Sequence, residues 1–249
     1  MSEEFKGLIA VVTGAGSGIG LAVAQALNVQ GARVFGLDLE QGAMAESATW
    51  IQCDVGDPEK VKWAFEQITK ETDTIDILAN IAGVGAIGSV EDATEEEWQQ
   101  VLNINVVGIS RISSAAMPFL RKSKSASIVN TCSIAATAGL PMRAVYSASK
   151  GAVMSLTLAM AADAVMEKIR VNCVNPGTAD TPWVERLLSQ AKNPVSERER
   201  LEARQPLGRL VSADEVASAI LYLANPSQGS TTGTILAVDG GMQGLRLPK

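Results

Sequence analysis

The stretch from Leu8 to Gly20, LIAVVTGAGSGIG, decides the fold of this chain. Its first six residues form a short apolar run, which is typical of a strand buried on both faces of a parallel sheet. The run stops at Gly14, a glycine-rich turn follows, and apolar residues then recur at helical spacing until Gly31 ends the pattern. A second strand-like run, Arg33–Leu37, begins directly afterwards. The stretch therefore predicts a strand–helix–strand unit with parallel strands.

The same alternation continues along the rest of the chain. Further strands are predicted at 49–52, 75–79, 127–131, 169–174 and 234–238. Helices are predicted at 58–71, from Thr94 onward with a break near Pro118, at 146–167, and from Ser212 onward. This pattern indicates one α/β domain over residues 1–249, a Rossmann-type doubly wound parallel sheet of about seven strands with helices on both faces. Residues 178–207 interrupt the pattern with a proline and a charged run, and we interpret them as a mobile helical lid.

Composition narrows the class of partner. The chain has 249 residues, 47% of them apolar, which suits one large domain with a buried core. A formal charge of −6 and the lack of a Lys/Arg run argue against nucleic acid or an anionic membrane surface. No apolar stretch reaches the roughly 20 residues that a membrane span needs, and the acidic N-terminus does not fit a signal peptide. We expect a cytoplasmic protein that acts on a small molecule.

The cysteines and the missing histidine exclude several mechanisms. Cys53, Cys132 and Cys173 are odd in number and widely spaced within apolar sequence, so we expect buried free thiols and no metal site. The chain has no histidine. This removes every Ser-His or Cys-His nucleophile and the commonest metal ligand.

The glycine-rich turn is a candidate phosphate site. It follows the spacing T-G-x-x-x-G-x-G through Gly14, Gly18 and Gly20, and it departs from the strict G-x-G-x-x-G dinucleotide fingerprint. Backbone N–H groups and the N-terminus of the following helix can hold a pyrophosphate there. A tight strand–helix connection would also use glycines, but the strand–helix–strand setting favours a dinucleotide.

An acidic residue indicates which dinucleotide binds. Asp38 ends the second strand about 20 residues past the turn, where a carboxylate accepts hydrogen bonds from the ribose hydroxyls of adenosine. It would repel a 2′-phosphate. Neither Leu39 nor Ser17 supplies a cation for that phosphate, so the sequence favours NAD over NADP.

Tyr146 and Lys150 stand four residues apart within a predicted helix, so their side chains share one face. A fixed cation beside a phenol stabilises the phenolate, which makes the phenol useful for proton transfer. The spacing alone also fits an ordinary helix surface.

Taken together, the glycine turn, Asp38 and the Tyr146/Lys150 pair resemble the short-chain dehydrogenase/reductase family, in particular its compact single-domain members. The resemblance covers nearly the whole chain. It implies a catalytic set of Asn105, Ser133, Tyr146 and Lys150 and no metal. In this set the tyrosine exchanges the proton of the substrate hydroxyl while hydride passes to or from the nicotinamide. The lysine supports the tyrosine and the nicotinamide ribose, the serine bonds the substrate oxygen, and the asparagine holds a water that links the lysine to solvent.

The resemblance also implies the cofactor contacts, including an adenine contact at Asp54-Val55 and a nicotinamide segment at 176–181. The implied cofactor-binding residues are Gly14, Ser17, Gly18, Ile19, Gly20, Asp38, Asp54, Val55, Asn80, Gly83, Tyr146, Lys150, Pro176, Gly177, Thr178, Ala179 and Thr181. One position departs from the family pattern, since Ile81 replaces the second Asn of an N-N-A-G motif. We expect this change to alter a local hydrogen bond more than the chemistry.

The substrate is indicated by fewer residues. The candidate substrate contacts are Ser133, Arg143, Tyr146, Trp183 and Arg246. Two arginines suit a carboxylate, which a guanidinium binds bidentately, although each could also be a solvated surface charge. In tetrameric family members the C-terminal tail, here carrying Arg246, often reaches toward a neighbouring active site. The tail and lid are similar to those of sugar and sugar-acid dehydrogenases, including enzymes that oxidise 2-keto-3-deoxy-L-fuconate.

Several alternatives remain open. A 3-oxoacyl-carrier-protein reductase or another short-chain alcohol dehydrogenase would share the catalytic residues, but the reductase usually uses NADP and a basic docking patch. Sugar epimerases of the extended branch have another glycine spacing and a longer substrate domain. An NAD-binding regulatory protein would keep the fold without turnover. The apolar residues of the helix that carries Tyr146 occupy more than one stripe, and a homotetramer is the expectation from the family.

Overall fold

The computed structural model describes residues 3–189 and 191–247. The strands of the main sheet are β1 (Ile9–Thr13), β2 (Arg33–Asp38), β3 (Thr49–Gln52), β4 (Ile77–Asn80), β5 (Ser127–Thr131) and β6 (Arg170–Pro176), together with β9 (Ile235–Val238). They form a seven-stranded parallel sheet in the order β3-β2-β1-β4-β5-β6-β9. A separate two-stranded parallel ribbon pairs β7 (Ala179–Asp180) with β8 (Val211–Ser212). The doubly wound parallel sheet predicted from the sequence is confirmed.

The helices are α1 (Gly18–Val29), α2 (Pro58–Ile68), α3 (Glu95–Leu102), α4 (Gly108–Leu120), α5 (Ala144–Ala164), α6 (Pro182–Ser189), α7 (Pro194–Glu202) and α8 (Ala213–Ala224). Side-chain caps begin several of them. The predicted capping box of α8 is present, because the Ser212 hydroxyl accepts from the Glu215 N–H while the Glu215 carboxylate accepts from the Ser212 N–H. Thr94 caps α3 by accepting from the Glu97 N–H at 3.2 Å.

Apolar residues bury the sheet on both faces. On one face, Val23 and Leu27 of α1 and Ile220 of α8 pack over β1 and β2. On the other face, Phe65 of α2 and Ile112 of α4 pack over the opposite side of the same strands, with the end of α5. Burial of each such side chain contributes about 1.5–3 kcal/mol relative to exposure. This two-sided packing explains why the strands are continuous apolar runs.

The strand order changes direction between β1 and β4. The chain winds from β1 outward through β2 to β3, then returns to β4 on the other side of β1. Connections leaving the carboxyl ends of these two central strands therefore diverge and open a crevice. The geometry of the sheet places the candidate site at this edge.

The helix predicted from Thr94 contains an interruption that was not predicted. Residues Asn103–Val107 form a π-helical turn between α3 and α4. A π turn inserts one extra residue without ending the helix, and such turns are frequent at functional sites. Pro118 lies inside the last turn of α4, where it has no N–H to donate, and the helix ends close to it at Leu120, near the predicted position.

The three cysteines are buried and free, as the sequence predicts. Burial raises the pKa of the Cys53 thiol to about 12, and the nearby carboxylates of Asp54 and Asp57 add to this effect. Cys53 is therefore a protonated core residue at neutral pH. Among the described residues, no helix is both long and apolar enough to cross a membrane.

Arg170, at the start of β6, holds the end of α8. Its guanidinium is buried and donates to the carbonyls of Leu223 at 2.6 Å, Ala224 at 3.2 Å and Asn225 at 3.1 Å. These carbonyls belong to the last turn of α8, where the helix leaves acceptors unpaired and where a cation is favoured. The side chain thus fixes α8 to the sheet.

We expect Arg170→Met to lower the free energy of unfolding by about 3 kcal/mol, because several buried carbonyls would lose their donor. Urea denaturation followed by circular dichroism measures this. The matched variant Arg121→Met, at an exposed arginine paired with Glu167, should leave the denaturation midpoint almost unchanged. Equal midpoints for both variants would show that Arg170 contributes no more than a surface ion pair.

Candidate active site

A cleft of about 500 Å³ opens at the carboxyl edge of the sheet, above the ends of β1 and β4. The glycine turn borders one end, the start of α5 lies in the middle, and the segment 178–207 borders the other end. Most of the residues predicted to bind cofactor or substrate line this one cleft. Asn80, Asn105 and Arg246 do not.

The glycine turn leaves room for a ligand where side chains would block it. Gly14 has a φ of +68°, which favours glycine. A Cβ on Gly20 would lie 2.0 Å from the Gly14 carbonyl oxygen, so no larger residue fits. Ser17, the N-cap of α1, makes no side-chain capping hydrogen bond. The N–H groups of the first turn of α1 are thus directed at the cleft without a side-chain partner, which suits a pyrophosphate.

Asp38 is fixed at the end of β2 beside the turn. Its Oδ2 accepts from the Gly16 N–H at 2.8 Å, and its Oδ1 accepts from the Leu39 N–H at 2.7 Å. These bonds hold the carboxylate at the rim of the cleft with further lone pairs available. The arrangement can accept the two hydroxyls of a ribose.

Of the four residues predicted to contact the cofactor after β3 and around the end of β4, three line the cleft and one does not. Asp54, Val55 and Gly83 line the cleft. Asn80 instead points into the protein, where its Nδ2 donates to Asn130 Oδ1 at 2.9 Å and to Ser113 Oγ at 3.1 Å. The structure gives Asn80 a role in holding β4 against β5 and α4.

The backbone at Ile81, the position that departs from the family motif, is held in place by Thr13. The N–H groups of Ile81 and Ala82 donate to Thr13 Oγ1 at 2.9 and 3.1 Å. The Ile81 side chain packs on the core. The backbone anchor is therefore provided by Thr13 at the end of β1.

Tyr146 and Lys150 lie on one face of α5, as the sequence predicts. Lys150 Nζ is 5.8 Å from the centre of the Tyr146 ring and donates to the Thr131 carbonyl at 2.9 Å. Lys150 is buried, and no carboxylate among the described residues forms an ion pair with it. Lys150 therefore places a buried positive charge beside the ring of Tyr146.

Asn105, on the π-helical turn, joins this pair to the cleft wall without lining the cleft itself. Its Oδ1 accepts from the Val84 N–H at 2.8 Å, and its Nδ2 donates to the Val84 carbonyl at 2.9 Å and to Ser149 Oγ at 3.0 Å. Ser149 in turn donates to the Tyr146 carbonyl at 2.8 Å. The amide thus ties the segment after β4 to the turn of α5 that carries Tyr146 and Lys150.

Ser133 follows β5 directly and lines the cleft. Its Oγ accepts from the Ala135 N–H at 3.2 Å, which starts a short 3-10 turn. The hydroxyl proton is not used by that bond, so it can be donated toward an oxygen in the cleft. Ser133, Tyr146 and Lys150 therefore meet at the same place.

The segment after β6, with Pro176, Gly177, Thr178, Ala179 and Thr181, also lines the cleft. Gln205 supports it from behind, because its Nε2 donates to the Thr178 carbonyl at 3.1 Å. A Cβ on Gly177 would lie 3.0 Å from the Asp239 Cα, so the close approach of this backbone to the end of β9 favours glycine. The segment is held close to the end of β9.

Arg143 and Trp183 border the other end of the cleft. Arg143 Nη1 donates to the Ala86 carbonyl at 2.9 Å, and the guanidinium lies 5.5 Å from the centre of the Trp183 ring. Trp183 itself lies against the backbone of Gly85. Arg143 is thus oriented by a carbonyl and an aromatic face.

Arg246 lies elsewhere. It is exposed on the tail and donates to the carbonyls of Gln243 at 3.3 Å and Leu245 at 2.8 Å. Within one chain it does not border the cleft. A role at a neighbouring subunit's site stays a prediction.

Two arginines that line the cleft, Arg186 and Arg204, were not among the predicted site residues. A sequence signal was present for Arg186, which stands three residues after Trp183 within α6 and therefore shares a helical face with it. Arg204 lies beyond Glu202, the last residue of α7, so helical spacing does not predict its position.

The segment 178–207 is helical, as predicted, through α6 and α7. Val184 and Leu188 of α6, Leu201 of α7 and Leu210 form a small core of their own. Its function as a lid stays a prediction. No group of His, Cys, Asp or Glu suited to a metal ion occurs within residues 3–189 and 191–247.

The site as a whole combines a phosphate cradle, a ribose acceptor and a proton-transfer group. An extended dinucleotide would run from the glycine turn past Asp38 at one side and toward the segment after β6 at the other. Tyr146 and Ser133 would then face an oxygen of a second molecule. This arrangement suits hydride exchange between a nicotinamide and an alcohol or ketone.

Comparison with known proteins gives a consistent set of similarities. A family model described as enoyl-(acyl carrier protein) reductase matches residues 14–243. A dehydrogenase/reductase SDR family member 6 of Rattus norvegicus is 37% identical over 241 residues, covering 96% of this chain and 98% of the relative. A cis-4-hydroxycyclohexanecarboxylate dehydrogenase of Sinomonas cyclohexanicum is 36% identical over 251 residues, covering 97% and 98%.

A solved structure shares the architecture over its full length. The ligand-free aldohexose dehydrogenase of Thermoplasma acidophilum superposes with a TM-score of 0.92, at 32% sequence identity, and each chain is covered to 100%. The similarity therefore extends over the sheet, the cleft and the segment 178–207 alike.

Proposed function

The chain belongs to the short-chain dehydrogenase/reductase family and is an oxidoreductase acting on CH–OH groups, and from this premise we propose that it is an NAD-dependent dehydrogenase of a sugar or sugar acid. The single observation that supports this most is the meeting of Ser133, Tyr146 and Lys150 in the cleft that also contains the glycine turn and Asp38.

The choice of NAD rests on Asp38. Members of the family use a nicotinamide cofactor, and the fixed Asp38 carboxylate would accept hydrogen bonds from the ribose hydroxyls but repel a 2′-phosphate. The neighbouring Leu39 brings no cation. The residues predicted to bind the cofactor fit it at the glycine turn, where a side chain on Gly20 would collide with Gly14.

The mechanism follows from the residues around Tyr146. Bound NAD supplies the hydride acceptor. Tyr146 removes the proton from the substrate hydroxyl as the ketone forms, and in the reverse direction it returns that proton. Lys150 stabilises the phenolate, and Ser133 donates a hydrogen bond to the reacting oxygen. Asn105 acts as a positioning residue through Val84 and Ser149.

The substrate proposal draws on the end of the cleft that Arg143 and Trp183 border. Trp183 is the main aromatic side chain there, and Arg143 borders it. A polar hydroxy compound, such as one similar to 2-keto-3-deoxy-L-fuconate, suits this lining better than a steroid or a lipid does. The similar protein of Thermoplasma acidophilum is, by name, a dehydrogenase of an aldohexose, which is a sugar.

The main alternative is a 3-oxoacyl-carrier-protein reductase or another short-chain alcohol dehydrogenase. A 3-oxoacyl-[acyl-carrier-protein] reductase of Thermotoga maritima is 32% identical over 249 residues. Asp38 and the net charge of −6 disfavour it, because such reductases usually use NADP and dock an acidic carrier. An NAD-binding regulatory protein would lack turnover.

A screen for NADH formation tests the proposed function. The purified protein with NAD is offered sugars, aldonates, keto-deoxy sugar acids and simple secondary alcohols, and absorbance at the NADH band is followed. We expect turnover with a sugar or a sugar acid. Reaction only with acyl-thioester substrates and NADPH would favour the reductase, and no reaction with any substrate would favour the regulatory protein.

We also propose a cytoplasmic homotetramer. Sedimentation equilibrium should give four times the chain mass of 26.1 kDa. If the tail reaches a neighbouring site, Arg246→Gln should raise KM several-fold without changing that mass. A monomer by sedimentation would contradict both the homotetramer and the role of Arg246 at a neighbouring site.

A further inference from the structure

Three arginines border the substrate end of the cleft from both sides. Arg143 belongs to the body of the domain, at the start of α5, whereas Arg186 and Arg204 belong to the segment 178–207. Among the described residues, none of the three forms an ion pair with a carboxylate. The end of the cleft where a substrate would enter therefore carries an excess of positive charge.

The carboxylate of Glu197, which attracts two of these guanidinium groups, already forms an ion pair with Arg200. Glu197 of α7 exerts an attractive charge on both Arg143 and Arg204. However, both of its oxygens accept from Arg200, Nε at 2.9 Å and Nη2 in a closer contact. One carboxylate thus faces three guanidinium groups, those of Arg143, Arg200 and Arg204.

Burial makes this charge excess unfavourable in the absence of a ligand. Burial lowers the pKa of Arg143, Tyr146 and Glu197 oppose this effect, and the charges of Arg204 and Arg200 lower the pKa further. Burial also lowers the pKa of Arg204, with Arg200 adding to the effect. An arginine stays charged at neutral pH even so. The two side chains therefore repel each other across the cleft, and a bound anion would remove that repulsion.

The available donors match an anionic group. Arg143 uses Nη1 for the Ala86 carbonyl, and no described residue accepts from its other guanidinium nitrogens. Arg204 donates to no described residue from its side chain. Guanidinium N–H groups without an acceptor in the described part of the chain thus lie on two sides of the cleft. Such groups bind the oxygens of a carboxylate, sulfonate or phosphate by charge-assisted hydrogen bonds.

We propose that the substrate carries an anionic group, which binds between Arg143 of the body and Arg204 of the segment 178–207, with Arg186 at the rim. This inference rests on the proposed function and names its substrate class as hydroxy acids. Because the anion contacts both the body and the segment, it links the two sides of the cleft. Neutral alcohols of the same length lack this link.

The test uses matched substrate pairs. Hydroxy acids that give NADH in the screen are compared with their neutral amides, and hydroxyalkyl sulfonates and polyol phosphates are included to identify the anionic group. For the wild type we expect kcat/KM on the anion to exceed that on the amide by at least about tenfold. Arg204→Gln and Arg143→Gln should abolish this preference, because each should lower kcat/KM for the anion by about tenfold more than it lowers kcat/KM for the amide.

A control and a binding measurement separate the possible outcomes. Arg209→Gln, at an exposed arginine paired with Glu215 outside the cleft, should keep the preference. Calorimetry with an unreactive alkanoate, added to the protein saturated with NAD, should show binding in the wild type and in Arg209→Gln and at least a tenfold loss in Arg204→Gln. Equal kcat/KM for acid and amide, or alkanoate binding that Arg204→Gln leaves unchanged, overturns the proposal.

Failure of this inference differs from failure of the proposed function. If neutral alcohols give NADH as efficiently as acids do, the proposed dehydrogenase function is supported and the proposed anion site is wrong. If no compound gives NADH while the alkanoate still binds through Arg204, the anion site stands and the proposed reaction falls.

Discussion

Tyr146→Phe lowers kcat by about 10³-fold while the Kd for NAD changes less than about twofold: this is the expected result if the phenol transfers the proton. The substitution removes one oxygen and keeps the ring, so the packing of α5 is retained. Lys150, still bonded to the Thr131 carbonyl, would keep its place beside the ring. The loss is therefore one of chemistry and not of cofactor binding.

The measurement is steady-state NADH formation with the best substrate, combined with calorimetry for NAD. The chain has two tyrosines, and Tyr222 is exposed on α8, away from the cleft. Tyr222→Phe is thus a matched control that should behave as the wild type. Residual activity of Tyr146→Phe above about one tenth of the wild-type kcat would assign the proton transfer to another group.

The second large effect is on cofactor choice. In the wild type we expect kcat/KM to be much greater with NAD than with NADP. Asp38→Asn removes the negative charge but keeps the shape of the side chain, and Leu39→Arg adds a cation at an exposed position beside it. Because juxtaposed like charges cost several kcal/mol, the double variant should shift the NAD/NADP ratio of kcat/KM by about 10²- to 10³-fold toward NADP.

The single variants show whether residue 38 or residue 39 determines the preference for NAD over NADP. Asp38→Asn alone should also lower kcat/KM with NAD by about tenfold, since an amide cannot accept from both Gly16 and Leu39 while it receives a ribose hydroxyl. Leu39→Arg alone should leave NAD preferred, because the carboxylate remains. A wild type that uses both cofactors equally would show that Asp38 does not face the ribose.

The sequence predicted the sheet well because the strands are continuous apolar runs that end at turns. Tyr146 and Lys150 share a face of α5 through helical spacing alone. Ser133 was implied only by the resemblance to the family, because a hydroxyl near a strand end carries no signal of its own. The roles of these three residues in the reaction stay a prediction.

Positions that depend on distant neighbours were less predictable. A motif match placed Asn80 with the cofactor contacts, but its side chain direction depends on Ser113 and Asn130, which are far away in the chain. The tail residue Arg246 was singled out for its charge, whereas Arg204, masked by a charged run, reaches the cleft. The π-helical turn at Asn103–Val107 was not predicted, because a one-residue insertion leaves no compositional signal.

The extra residue of the π turn determines how α4 is rotated about its axis relative to α3. Residues in an α-helix advance by about 100°, so one additional residue turns everything after it by that angle. The π turn at Asn103–Val107 lets α3 face α5 while α4 faces the sheet and α2. Removing a residue there would swing Asn105 away from Val84 and Ser149 and turn the apolar face of α4 toward water. The length of this segment, and not only its composition, therefore couples the positioning amide of Asn105 to the hydrophobic core.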